Sequence, residues 1–596
     1  MSASANSATD PGFSAWVSAN AGAGKTYLLT DRVTRLLLSG ARPSRILCLT
    51  YTKAAAAEMA TRLFNRLGEW ALLSDAELTE RLTAIGADTP DKRALRKART
   101  LFAQALETPG GLKIQTIHSF CQNVLARFPV EAGIPARFTV LDERSTAELM
   151  AEARNAVLEQ AANGDPRLAG AIALLATRAA DGRFAEILNF AIGDGGRLRD
   201  LLARHGSEAH FFAHLRKTLD IAEGEDEAQI IARFCAERGG ERDICERVVK
   251  WLLGGSSRDI ERGKRLAQFV ESGLVAESFE QLRRALLKQD GEAFTPIATK
   301  SRMQAEPELA AAAEDLQRRL IAVEDRRKRA ITVTLTEALM TVAHAVLTRF
   351  SALKRERAAL DYDDLILATL TLLERRDAAS WVLYKLDGGL DHILVDEAQD
   401  TSPEQWKIVG KLAEEFFAGR GVREDAAPRT LFAVGDEKQS IFSFQGADPV
   451  QFGHNRAIFK ALAEGANLPF ADLRPAVSRR SARSVLEFVD AVFGAADARD
   501  GLTDSDDPVH HDPHRADIGR VEIWPLVKAP QNEEREPWNL PVDALTRNSS
   551  QLLLAAQLAN HIAGWLRDGV RLPGSAAAIT PGDIMILVRR RNAFAE

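Results

Sequence analysis

The stretch SANAGAGKT, Ser18 to Thr26, leaves this chain less freedom of fold than any other. Before it, FSAWV (Phe13 to Val17) mixes aromatic, β-branched and small residues as a short buried strand does. After it, TYLLTDRVTRLLLSG spaces leucine and valine at helical intervals and closes on Gly40, a helix-stop signal. Strand, small-residue loop and helix, joined around A-x-x-x-x-G-K-T, form a phosphate-binding loop. Gly22 and Gly24 have no Cβ, so backbone N–H groups there can turn inward onto phosphate oxygens. The helix that follows adds the positive end of its dipole. The candidate binding residues are Ala19, Asn20, Ala21, Gly22, Ala23, Gly24, Lys25 and Thr26. Lys25 is placed to reach the β- and γ-phosphates of a nucleotide, and the Thr26 hydroxyl to hold Mg²⁺. Ala19 stands where the general pattern has glycine, and a small residue suffices there.

A phosphate loop needs a carboxylate to hold the metal. About 370 residues later comes HILVDEAQDTSPEQW, His392 to Trp406. ILV is an apolar strand of the kind buried in a parallel sheet, and it ends in paired acids. Asp396 is the expected metal ligand, and Glu397 the group that polarises the attacking water. Ligands of open α/β sheets bind beyond the carboxyl ends of the strands, so both motifs are expected in one crevice. A third stretch, LFAVGDEKQSIFSFQGADP (Leu431 to Pro449), repeats the design. Gln439 is uncharged and suited to sensing a γ-phosphate or water. Phe442 and Phe444 fit either a core role or a stacking platform for unpaired bases.

Composition sets the outer bounds. A chain of 596 residues exceeds one core and predicts three or four domains. Hydrophobic content of 46% with 27% charged residues excludes a disordered chain or an integral membrane protein. A net charge of -6 gives no global basic signature, so a nucleic-acid partner must meet a local groove. MSASANSATDPGF lacks a charged region followed by an apolar one, and no apolar run approaches the roughly 20 residues that span a bilayer. Cys48, Cys121, Cys235 and Cys245 are scattered without a C-x-x-C pair, which argues against disulfides or zinc. These features predict a cytoplasmic protein with no membrane partner.

The ordered set ANAGAGKT, LTYTKAAAAEMATRL (Leu49 to Leu63), TIHSFCQ (Thr116 to Gln122), LDYDDLI (Leu360 to Ile366), ILVDEAQDTS, VGDEKQSIFSFQGADP and SRRS (Ser478 to Ser481) resembles the UvrD/Rep group of superfamily 1 DNA helicases. TIHSFCQ and DEKQSIFSFQGADP are more similar to its RecB/AddA branch, the helicase–nuclease proteins, than to UvrD itself. The resemblance implies an α/β fold: a RecA-like P-loop NTPase lobe with a parallel sheet, a large helical insertion, and the beginning of a second RecA-like lobe. The implied boundaries are 1–137 for the first part of lobe 1A, 138–350 for the helical insertion 1B, 351–467 for the second part of lobe 1A, and 468–596 for a truncated lobe 2A. It also implies an ATP- and Mg²⁺-dependent 3′→5′ single-stranded DNA translocase, the motor of a helicase–nuclease in double-strand break repair and recombination. The implied partners are single- and double-stranded DNA ends and an AddB-like protein.

Carried over by position, the resemblance makes Lys25, Asp396, Glu397, Gln439 and Arg480 catalytic, with Arg480 as an arginine finger on the γ-phosphate. Thr50, Tyr51, Thr52, His118, Phe442 and Phe444 line the implied single-strand path. Four positions depart from the pattern. No Gln precedes Gln104 to read adenine, Lys53-Ala54 replaces an Asn-Lys pair, Gln445 replaces arginine, and Arg479 stands where an aromatic is common. The chain closes on DIMILVRRRNAFAE, a strand-like run entering a helix start, without the family's later motifs or its nuclease. It is therefore read as an N-terminal portion that binds nucleotide but unwinds little. A generic UvrD-like repair helicase, a P-loop NTPase of another class and a non-catalytic scaffold are the competing readings.

Between the motifs, Phe138 to Phe350 is rich in Ala, Leu, Glu and Arg at helical spacing. Its basic runs, LRRALLKQ and EDRRKRA, fit either a DNA backbone or solvated helix faces. The acids of LDYDDLI are expected on a surface helix. His510, His511, Asp512 and His514 lie in an acidic loop without the spacing to converge on a metal.

Overall fold

The computed structural model describes residues 7–588 apart from 87–89, 109–110, 180–182, 194, 238–241, 376–378, 388–389, 418–427, 441–447, 503–509, 529–549 and 573–576. The chain forms two compact units: Met1–Ala136 with Asp364–Glu596, and Arg137–Asp363.

The first unit is an α/β lobe of the RecA type. Its strands are β1 (Ser14–Ser18), β2 (Ile46–Thr50), β3 (Lys113–Thr116), β4 (His392–Val395), β5 (Thr430–Gly435) and β6 (Phe470–Leu473). They lie in the order β3-β2-β4-β5-β1-β6, and every neighbouring pair is parallel. ILCLT, HILV and TLFAVG are buried along their whole length, as apolar strands covered on both faces must be. Against one face pack α1 (Lys25–Ser39), α2 (Lys53–Leu72) and α3 (Lys92–Glu107), through residues such as Leu29, Val33, Leu36, Met59, Leu63 and Leu101. A short helix α4 (Ile117–Arg127) follows β3. Strand alternation sends Trp16 to the opposite face. There its ring stacks at 5.3 Å on Trp406 of α5 (Pro403–Ala413) and lies 5.0 Å from Phe452 of α6 (Pro449–Gly465).

The chain stays in this sheet through Leu473, beyond residue 468 where the resemblance sets the start of a second lobe, because FADL pairs with the outer edge of β1. Only afterwards do β7 (Val477–Ala482) and β8 (Asp512–Arg515) pair separately, with α7 (Arg483–Phe493) between them. DIMILV, strand-like in sequence, forms no strand over its described residues. Met585 and Leu587 are 82% and 86% exposed, and a strand without a neighbour leaves its backbone groups unpaired.

Beneath the sheet, the guanidinium of Arg32 is fully buried. It donates to the carbonyls of Ala8, Asp10 and Phe13 and, at 2.8 Å, to Thr430 Oγ1. Burial lowers its pKa to about 9. His392 shares the Thr430 hydroxyl at 2.8 Å, and burial, then the Arg32 charge, lowers its pKa to about 4.

The second unit is helical and built around one 50-residue helix, Pro307–Glu356. Its N-terminal half packs Ala313, Leu316 and Leu320 against Trp251, Phe269 and Leu282. The C-terminal half packs Val342, Val346 and Phe350 against Leu149, Val157 and Leu168. Contrary to the expectation that no apolar run is long enough, part of this helix reaches a mean hydropathy of 1.6, enough by length and composition to cross a bilayer, and 44% of that stretch is buried. The expectation of a surface position for the LDYDDLI acids fails at Asp361, which pairs at 2.6 Å with buried Lys354.

The basic runs are largely answered inside this unit. Arg283 reaches Glu324 at 3.2 Å, Arg326 reaches Glu225 at 2.7 Å, and Arg327 reaches Glu324 at 2.9 Å. Arg284, Lys288 and Arg329 pair with Glu280, Glu292 and Asp325. Hydrogen bonds from Arg326 hold the Glu225 carboxyl down at about 2. Guanidinium groups committed to buried carboxylates are poor candidates for a phosphate track, because releasing them would leave those carboxylates unpaired.

His392 yields a pH test. Folded, it takes a proton only near pH 4, whereas an unfolded histidine does so near 6.5, so the unfolded state binds more protons between the two values. Stability is therefore expected to fall by up to roughly 3 kcal/mol as pH drops through this window. Denaturant unfolding at pH 7 and pH 4.5 should show that slope in the wild type and a shallower one in His392→Gln.

Candidate nucleotide site

The phosphate loop leaves β1 at Ser18 and is anchored at once by the Ala19 N–H, which donates to Gly435 O of β5 at 2.9 Å. Gly22 and Gly24 take φ of +77° and +88°, the left-handed region that costs other residues about 1–2 kcal/mol. Gly24 is the N-cap of α1 and no side chain caps that end, so the first N–H groups are available to an anion.

Close contact with β7 makes Gly22 necessary. A Cβ there would lie 2.5 Å from Arg480 Cβ and 3.0 Å from Ser478 Oγ. The Arg479 N–H donates to Gly22 O at 2.8 Å, and Ser478 Oγ donates to Ala21 O at 3.1 Å. Arg480 therefore stands beside the loop with its side chain exposed, while Arg515 Nη1 donates to its carbonyl at 3.0 Å. Asn20 Nδ2 reaches His510 O at 3.3 Å. Of the histidine cluster, His511 pairs through Nδ1 with Asp490 at 2.5 Å.

Lys25, the first residue of α1, turns its Nζ to within 3.2 Å of Glu397 Oε2. The two motifs thus meet across 372 residues of sequence. The Asp396 N–H donates to Leu49 O at 2.9 Å, fixing the end of β4 against β2. Burial, then the neighbouring Glu397 charge, raises the Asp396 pKa to about 6. Glu397 has φ +47°, a strained position for a residue with a Cβ. Its N–H donates to Asp396 Oδ1 at 3.0 Å, and its Oε2 accepts from Gln399 Nε2 at 2.9 Å. A capping box of Ser402 with Gln405 then starts α5.

Asp396 and Thr26 offer only hard oxygen donors, which suits Mg²⁺, and a buried carboxylate beside a second one sits in negative potential that a cation relieves.

Gln439 hydrogen-bonds within its own turn. Its Nε2 donates to Asp436 Oδ2 at 2.6 Å, and Asp436 also holds Lys438 Nζ at 3.0 Å. On the other side of the sheet edge, Thr50 and Thr116 are register partners at the ends of β2 and β3, which brings Thr50, Tyr51, Thr52 and His118 to one region. Thr50 is 3% exposed and its hydroxyl donates to Thr52 O at 3.1 Å, so it shapes the loop rather than facing a ligand. Thr52 caps α2 by accepting the Ala55 N–H at 3.0 Å. Burial, then Asp400, raises the Tyr51 pKa to about 12, and burial lowers that of His118. Phe442 and Phe444 lie outside the described residues.

Sequence reasoning missed Gln399 and Ser478. Both lie inside quoted motifs, yet their partners are set by how β5 and β7 meet the loop, which residue spacing does not encode.

A parallel sheet with a glycine loop and an acidic strand end joined at one edge defines a P-loop nucleotide-binding lobe. The chain belongs to the UvrD/REP helicase family: the family's N-terminal domain matches residues 2–459. Curated relatives named as ATP-dependent helicase/nuclease subunits include that of Enterococcus faecalis, 26% identical over 80% of this chain and 37% of the relative. Those of Geobacillus kaustophilus (26%, over 80% of this chain and 38% of the relative) and Moorella thermoacetica (27%, over 80% and 33%) are similar. This chain thus spans well under half the length of these relatives.

The loop geometry separates its two glycines. Gly22→Ala and Gly24→Ala both incur the left-handed strain, about 1–2 kcal/mol, but only the first drives a methyl group into β7, since Gly24 has open space around it. Denaturant unfolding without nucleotide should show Gly22→Ala as the clearly less stable variant. Equal losses would mean that β7 does not rest on the loop.

Proposed function

We propose that this chain is the motor part of an ATP-dependent DNA helicase that moves 3′→5′ along single-stranded DNA, within a helicase–nuclease acting at double-strand breaks with an AddB-like partner. The observation that carries the reading is the Lys25–Glu397 contact at 3.2 Å. A side-chain ammonium beside a carboxylate at the mouth of a phosphate loop is a pair that a triphosphate would open. Lys25 would turn onto the β- and γ-phosphate oxygens, and Glu397, released from it, would take the proton of the attacking water.

Thr26 and Asp396 would hold Mg²⁺, which neutralises phosphate charge when bound. Arg480, fixed beside the loop through Arg479 and Ser478, would neutralise charge developing on the γ-phosphoryl group. Gln439 would report the nucleotide state to the DNA side. Tyr51, Thr52 and His118, with Phe442 and Phe444, would form the single-strand path. In this reading 1–136 and 364–473 make the first motor lobe, 137–363 the helical insertion, and the segment from Val477 opens a second lobe. Family membership and the relatives' names support the helicase assignment; the polarity, the break-repair role and the partner follow from the resemblance of the motifs.

ATP turnover with and without single-stranded DNA tests the proposal. DNA should stimulate turnover, and Lys25→Ala and Glu397→Gln should each lower it about a hundredfold or more. Turnover indifferent to DNA would favour a P-loop enzyme of another class.

A further inference from the structure

Gln399 is buried between the two acidic turns of the site, and its amide is satisfied from both sides. Its Oε1 accepts the Asp436 N–H at 2.8 Å. Its Nε2 donates to Glu397 Oε2 at 2.9 Å and to Asp400 Oδ2 at 3.1 Å. A backbone donor on one side and two carboxylates on the other admit one amide orientation. The approach depends on Gly435: a Cβ there would stand 2.6 Å from Gln399 Oε1 and 2.9 Å from the Phe452 ring. Beyond it, the Asp436 carboxylate is itself occupied by Gln439 Nε2 at 2.6 Å and by the Lys438 N–H at 3.2 Å. Lys25, Glu397, Gln399, Asp436 and Gln439 thus form one hydrogen-bonded chain, in which Lys25 and Gln399 share the same oxygen of Glu397.

We propose that Gln399 is a positioning residue, tying the orientation of the Glu397 carboxylate to the Asp436–Gln439 turn so that DNA-linked movement of the turn is felt at the carboxylate. This rests on the reading of Glu397 as the base given above. When Lys25 turns to phosphate, Glu397 keeps the donor Gln399. A displacement of the Asp436 N–H then reaches the carboxylate through a single rigid amide. Such a link is a coupling between sites, and a coupling is reciprocal between nucleotide and DNA.

Gln399→Met keeps the length and volume of the side chain and removes all three hydrogen bonds; Gln399→Ala is the second variant. The affinity of a fluorescent ATP analogue is measured with and without an oligo-dT strand, together with the kcat and KM of ATP turnover. In the wild type, oligo-dT should change nucleotide affinity by roughly 5-fold or more, and in Gln399→Met that ratio should fall close to one, with each ligand alone bound within about twofold of wild type. DNA-stimulated kcat should fall while KM for ATP holds. Wild-type coupling retained in both variants would overturn the proposal. So would a loss of coupling accompanied by equal losses in both single-ligand affinities, the mark of a packing defect. A wild-type chain whose nucleotide affinity and turnover both ignore DNA would instead sink the helicase reading on which the proposal stands.

Discussion

The contact between Lys25 and Glu397 is the constraint on which the rest of the first unit depends. It requires β1 and β4 to end at the same edge of one sheet, with β5 between them, although a whole helical unit intervenes in the chain. Neither residue gains much fold stability from the pair. Glu397 is 39% exposed, and partly solvated pairs of this kind contribute at most about 1 kcal/mol. The arrangement makes better sense as a poised site, in which an ammonium 10% exposed is held by a carboxylate until a stronger anion arrives.

Backbone positions at the site take left-handed conformations. Glu397 adopts a left-handed backbone despite its side chain, and the loop needs Gly22 because β7 touches it. Both departures are held by neighbours: Glu397 by Asp396, Gln399 and Lys25, and the loop by hydrogen bonds from Ser478, Arg479 and Ala19. The surrounding sheet supplies rigidity through strands buried on both faces and through the Trp16–Trp406–Phe452 cluster. The Arg32 contacts to Ala8, Asp10, Phe13 and Thr430 tie the segment before β1 to the start of β5.

Much of this was legible in the sequence because it is local. A strand, a glycine loop and a helix specify their own geometry over a dozen residues, and an apolar run ending in two acids specifies a strand edge. The bridging role of Gln399 was not legible, since it depends on the register that sets Gly435 beside the DEAQD turn. The basic runs of the insertion were ambiguous for the same reason: Glu225 and Glu227 answer Arg326 and Arg327 from about 100 residues away. DIMILV has the continuous apolar run of a buried strand, but such a run cannot supply a partner. Thr50 matched a ligand-facing position by motif and proved buried, because its hydroxyl closes the turn that Thr52 needs to cap α2.

The most direct test of the central claim is a double-mutant cycle on the affinity of a fluorescent ATP analogue, with Lys25→Met and Glu397→Gln singly and together. If the two side chains share one cleft and compete with the triphosphate for each other, the effect of Glu397→Gln must depend on Lys25. The cycle should then be non-additive by at least roughly 0.5 kcal/mol. Strict additivity would mean that ammonium and carboxylate do not meet in the nucleotide site, and would contradict the account.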